Sequence, residues 1–184
     1  MGACSLQACH SPESRSAKGD SAMVDSGKKD GQTSSNITNE TKVDGDEADF
    51  MKKAAAGGMM EVELGKIALK STNPKVKAFA EQMVKDHTQA NNELKALATG
   101  SKIVLPARLP AEDQAHMDMM KKMTGGDFDK HYIGMMVTDH DQTVALFKTA
   151  TTYQDKAVSD FAKKTLPVIT GHGEKAKVLQ AELK

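Results

Sequence analysis

The chain has 184 residues, with 25 Lys plus Arg balanced by 25 Asp plus Glu. No basic face stands out, which gives nucleic-acid binding no footing, and no run approaches the roughly 20 apolar residues that a membrane-spanning helix needs. Only 39% of residues are apolar and Trp is absent. That suits a helical core of Leu, Val, Ala and Met, with the apolar deficit concentrated in the N-terminal quarter.

The two cysteines, Cys4 and Cys9, precede the periodic part of the sequence. They can neither staple a domain nor supply a thiol nucleophile inside it. Leu6-Gln7-Ala8-Cys9 resembles a bacterial lipobox, whose Cys is lipidated after signal cleavage, although Gln7 is unusual there and no apolar signal region precedes it. On this reading the first residues are the remnant of a signal, and Cys9 carries a lipid anchor. The protein is then a lipoprotein of the bacterial periplasm or outer membrane, attached through lipid rather than a transmembrane span. The alternative is a chance Leu-x-Ala-Cys. Gly2 does not fit the myristoylation pattern, because Leu6 occupies the Ser/Thr position. Residues 10–45 are rich in Ser, Gly, Asp, Lys, Asn and Thr, without periodicity. Such a stretch cannot bury enough surface to offset chain entropy, so residues 1–45 are expected to form a disordered tether carrying His10, and residues 46–184 a folded domain.

The first helix is expected from Asp46, where Asp46, Glu47 and Asp49 suit a helix N-terminus, to about Ser71. Gly57-Gly58 inside it costs roughly 1 kcal/mol per Gly relative to Ala, which close approach of a neighbouring helix would justify. Asn73-Pro74 reads as N-cap and first position of a second helix that ends near Gly100. Pro106 and Pro110 interrupt the next stretch. A short helix over Ala111–Met123 follows, then Thr124-Gly125-Gly126. Two further helices are expected over about Asp127–Thr152 and Asp155–Leu183. The fold class is therefore all-α: a four-helix bundle of two antiparallel hairpins, joined by a long crossover that carries a short extra helix.

Each long segment has an apolar stripe at alternating steps of three and four. The stripes are Phe50, Ala54, Gly57, Glu61, Leu64, Ala68; Val76, Phe79, Met83, His87, Ala90, Leu94, Leu97; Ile133, Met136, His140, Val144, Phe147; and Val158, Phe161, Thr165, Val168, His172, Leu179, Leu183. Each holds one metal-competent residue near its middle: Glu61, His87, His140 and His172. Counted from the turns, the first pair is level to within about 3 Å and the second offset by about 6 Å, part of which a helix loosened at Pro167 could absorb. Three imidazoles and a carboxylate suit Zn, Cu or Fe better than Mg or Ca. The competing reading is a metal-free, hydrogen-bonded polar layer. Asp86 and Asp139 could each orient an imidazole on a neighbouring helix or be surface charges, and Glu63 points away from the stripe.

The Glu-x-x-His pairs of a di-iron carboxylate centre are absent, since Val84, Val137 and Ile169 stand three residues before the histidines. His116-Met117-x-Met119-Met120-x-x-Met123 places imidazole and thioether on one face, as Cu(I) would require, while Met as adaptable core filler explains the same run. His131 is expected to be exposed. No nucleophilic triad, phosphate loop or dinucleotide fingerprint is present.

Glu61-Val62-Glu63-Leu64-Gly65-Lys66-Ile67-Ala68, Val76-Lys77-Ala78-Phe79-Ala80, Met83-Val84-Lys85-Asp86-His87, Phe128-Asp129 with Tyr132, Asp139-His140, and Leu166-Pro167 with His172 resemble the ferritin-like bacterial envelope proteins called domain of unknown function 4142. The resemblance covers residues 48 to 183. It implies a ferritin-like bundle exported from the cytoplasm and supplies no activity. The expected function is an envelope-tethered protein binding one transition metal at Glu61, His87, His140 and His172. A metal-free structural or interaction module is the alternative, and an oxidase or peroxidase at the same metal a third reading. Neither a substrate nor a protein partner is legible.

Overall fold

A computed structural model describes residues 45–184. The expected tether and the lipobox Cys9 lie outside the described residues. Among these residues the chain is all-helical, with five helices and no strands: α1 (Gly45–Ala68), α2 (Pro74–Gly100), α3 (Ala111–Met120), α4 (Gly125–Ala150) and α5 (Lys156–Glu182). α1 packs chiefly on α2 and α4 on α5, while α2–α5 and α1–α4 contacts close the ring of four. The single long crossover between α2 and α4 contains α3, which is the ferritin-like connectivity.

Local chemistry sets the helix starts. The Asn73 side chain accepts from the amides of Lys75 and Val76, with Pro74 at the first helical position of α2. Asp155 caps α5 in the same way, accepting from Ala157 and Val158 at 2.8 and 3.0 Å. At the head of α1, Glu47 also acts across the fold. It is buried, and its Oε1 accepts the Asp155 amide at 2.9 Å, joining the first turn of α1 to the cap of α5. α3 ends three residues earlier than expected, at Met120, where i→i−3 bonds from Lys122 and Met123 tighten the chain.

Two details of the stripes differ from expectation. Gly57 faces open space; the glycine the packing requires is Gly58, where a Cβ would overlap the Asn91 side-chain oxygen. On α5, Val168 is 42% exposed and Ile169 is the core residue at 3%. α5 runs unbroken through Pro167.

The core is two apolar clusters with a polar layer between them. One holds Leu64, Phe79, Met83, Tyr132 and Met136; the other holds Phe50, Met51, Leu94, Phe147 and Phe161. On α1, α2, α4 and α5 alike, the residue between the clusters is Glu61, His87, His140 or His172, and all four are buried. The alternation of clusters also fixes the antiparallel sense: the second contains the start of α1 and α5 but the end of α2 and α4.

The Asp155 cap is separate from that layer. Asp155→Ala is expected to cost about 1 kcal/mol in urea unfolding, as loss of an N-cap generally does, while the imidazole resonances of the polar layer stay unchanged.

Candidate metal centre

The three imidazoles converge. Ring centroids lie 5.7 Å apart for His87–His140, 5.2 Å for His87–His172 and 5.6 Å for His140–His172. One nitrogen of each ring lies within 4.8 Å of the others. Gly173, beside His172, permits this approach of α5 to α4: a Cβ there would sit 3.2 Å from the His140 Cβ.

Each ring uses one nitrogen on a protein acceptor. His87 Nδ1 donates to Glu61 Oε2 at 2.9 Å, His140 Nδ1 to the Met136 carbonyl at 2.8 Å, and His172 Nε2 to Asp86 Oδ2 at 2.9 Å. A carbonyl or carboxylate oxygen can only accept here, so these contacts set the tautomers. In neutral rings so bonded, the remaining nitrogens, His87 Nε2, His140 Nε2 and His172 Nδ1, carry the lone pairs. All three are buried without a hydrogen-bond partner, at a cost of about 1–3 kcal/mol each.

The two aspartates flanking the histidines part company. Asp86 orients His172 from the neighbouring α2. Asp139 makes no hydrogen bond to an imidazole among the described residues. Burial, then the charge of Glu61 and that of Asp113, push its carboxyl up to about 6. Burial also acts to raise the Glu61 carboxyl, but the charge and hydrogen bond of His87, followed by His140 and His172, outweigh it and hold the group below its ordinary value. His140 and His172 are lowered, chiefly by burial, His172 to about 4. Both therefore stay neutral, as metal ligands must.

Three participants were not singled out from the sequence. The Met136 carbonyl is a backbone group with no residue-type signature. Gly173 was visible only as a small neighbour of His172. The Tyr132 hydroxyl is buried without a partner and held protonated by burial and the nearby Glu61 charge. His131, expected in solvent, is half-buried and stacks on His116 with centroids 5.5 Å apart.

The family profile described as "Domain of unknown function (DUF4142)" matches residues 32–179. Among solved structures, a DUF305 fragment from Deinococcus radiodurans is similar in fold, with a TM-score of 0.67 at 11% identity over 76% of this chain and 98% of that one. No curated protein matches the sequence.

The lowered histidines fix the sign of a pH effect. The unfolded chain takes up protons on His140 and His172 below their ordinary 6.5, while the folded chain refuses them. Stability present above about pH 6.5 is therefore lost as pH falls toward 4. Asp139 opposes this, because its raised carboxyl regains a proton in the folded state from about 6 downward. Denaturant unfolding of chelator-treated protein should show falling stability across that window, and Asp139→Asn should be more stable at pH 7 and steeper in its acid loss.

Proposed function

We propose that this chain, which belongs to the DUF4142 family, binds one transition-metal ion between its four long helices through His87 Nε2, His140 Nε2 and His172 Nδ1. The observation that carries this reading is the set of three buried, unpartnered lone pairs, each fixed by a hydrogen bond on the far edge of its ring. That arrangement of carboxylate or carbonyl, imidazole and ion is how proteins generally orient metal-bound histidine. Imidazole donors fit Zn(II), Cu(II) or Fe(II).

The sequence alone suggested Glu61 as a fourth ligand. Its contact with His87 Nδ1 favours another role. The two nitrogens of an imidazole point away from each other, so a carboxylate held at Nδ1 stands on the opposite side of the ring from an ion at Nε2. Glu61 then orients His87 and supplies the negative charge that offsets a buried cation, and Asp86 does the same at His172. A cavity of about 40 Å³ adjoins the layer, bounded by Glu61, His87 and His172 on one side and Leu94, Phe161 and Ile169 on the other. It has room for water-sized ligands, leaving a coordination position for a non-protein group as in three-ligand sites.

Metal should raise the melting temperature, because only the folded bundle assembles the ligands; an ion at 100 times its dissociation constant adds about 2.7 kcal/mol. Thermal melts with chelator and with Zn(II) or Cu(II) are expected to differ for the wild type and to coincide for His140→Leu. Glu61→Gln keeps an acceptor for His87 and should weaken binding by about 10–100-fold. Complete loss in that variant would restore Glu61 to the ligand set. Coincident wild-type melts would leave the metal-free interaction module as the better reading.

The remaining part of the proposal is location. Leu6-Gln7-Ala8-Cys9 and the polar, aperiodic residues after it support a lipid-anchored envelope protein. No described helix is long and apolar enough to cross a membrane. Expressed behind an intact signal, the protein should fractionate with membranes and Cys9→Ser should not; equal partitioning of the two would exclude the anchor.

A further inference from the structure

A second group of ligating side chains lies between α3 and α4, outside the histidine layer. His116 comes from α3, and His131 and Met135 are one turn apart on α4. His116 Nε2 lies 2.9 Å from Met135 Sδ. The His116 and His131 rings stack at an interplanar angle of 26°. His131 Nε2 is buried with no partner. The three residues are only half-buried, so the group lies near the surface.

From this geometry we infer a second metal site, formed by His116, His131 and Met135 and selective for a soft monovalent cation such as Cu(I). The donors decide the class. Imidazole and thioether are uncharged donors, and among the described residues no carboxylate is hydrogen-bonded to either ring. A hard ion prefers oxygen donors, whereas thioether and imidazole suit Cu(I). Sulfur is a weak hydrogen-bond acceptor, so the contact gives His116 little as a hydrogen bond. A cation between the nitrogen and the sulfur would use both donors, and the stranded His131 nitrogen becomes the third donor once its half-buried ring turns out of the stack with His116. The flexible Met side chain can shift its sulfur to open the required angle. Met119, one turn beyond His116 and 42% exposed, adds a second thioether at the mouth. Met117 and Met120 are buried in the core cluster and belong to the packing.

This inference is independent of the three-histidine centre, and its test keeps the two apart. The full chain would carry Cys4→Ser and Cys9→Ser, since free thiolates compete for soft ions. Ag(I), a redox-stable stand-in for Cu(I), is titrated while the Met methyl and His ring resonances are followed by NMR. The Met135 methyl and the His116 and His131 rings should shift together and saturate, with the same response in a His140→Leu background. Met135→Leu conserves volume, and loss of a direct ligand should weaken Ag(I) binding by at least about tenfold, the smallest effect usual for losing even a supporting group. Unmoved Met135, His116 and His131 resonances in the otherwise native chain would overturn the site, as would undiminished affinity in Met135→Leu.

Discussion

The architecture turns on a polar layer held between two apolar clusters. Four long helices each contribute one buried polar side chain at the same level, with apolar packing above and below that layer. Buried imidazoles must satisfy their nitrogens or bear the cost. Here each ring satisfies one nitrogen, and the acceptors chosen (a carboxylate, a backbone carbonyl, a second carboxylate) can take only a donated proton. The helices thus position the rings, and the acceptors decide which edge of each ring is left electron-rich.

The electrostatics point the same way. Burial keeps His140 and His172 from protonating, and against the opposing effect of burial the contact with His87 holds the Glu61 carboxyl below its ordinary value. His140 and His172 are therefore neutral donors beside one fully buried carboxylate, with Asp86 partly open to solvent at the edge. A buried charge without a counter-ion is costly. Asp139 adds negative potential next to Glu61, and burial together with that neighbouring charge raises its own carboxyl to about 6.

Much of this was legible in the sequence because helical periodicity is a strong signal. Steps of three and four placed Glu61, His87, His140 and His172 on inward faces, and Asn73-Pro74 and Asp155 marked helix starts. Periodicity could not choose between Val168 and Ile169, since 165→168→172 and 165→169→172 are both helical paths; packing chose Ile169. Nor could it separate the two flanking aspartates. Their fates depend on the angle between neighbouring helices, which gives Asp86 a ring to bind and leaves Asp139 against Glu61. The role of the Met136 carbonyl and the stacking of His131 on His116 are tertiary facts without a local pattern. In the Met-rich run of α3, left open between a soft-metal face and core filler, Met117 and Met120 are core, while His116 reaches a partner, Met135, on a different helix.

The central claim is that three imidazole lone pairs are fixed in direction before any ion binds. Long-range proton–nitrogen correlation spectra of the metal-free protein near pH 7 report it directly. The account requires neutral rings protonated at Nδ1 for His87 and His140 and at Nε2 for His172, with only the three unprotonated nitrogens moving when Zn(II) is added. Imidazolium signals, the opposite tautomers, or shifts confined to the protonated nitrogens would contradict it.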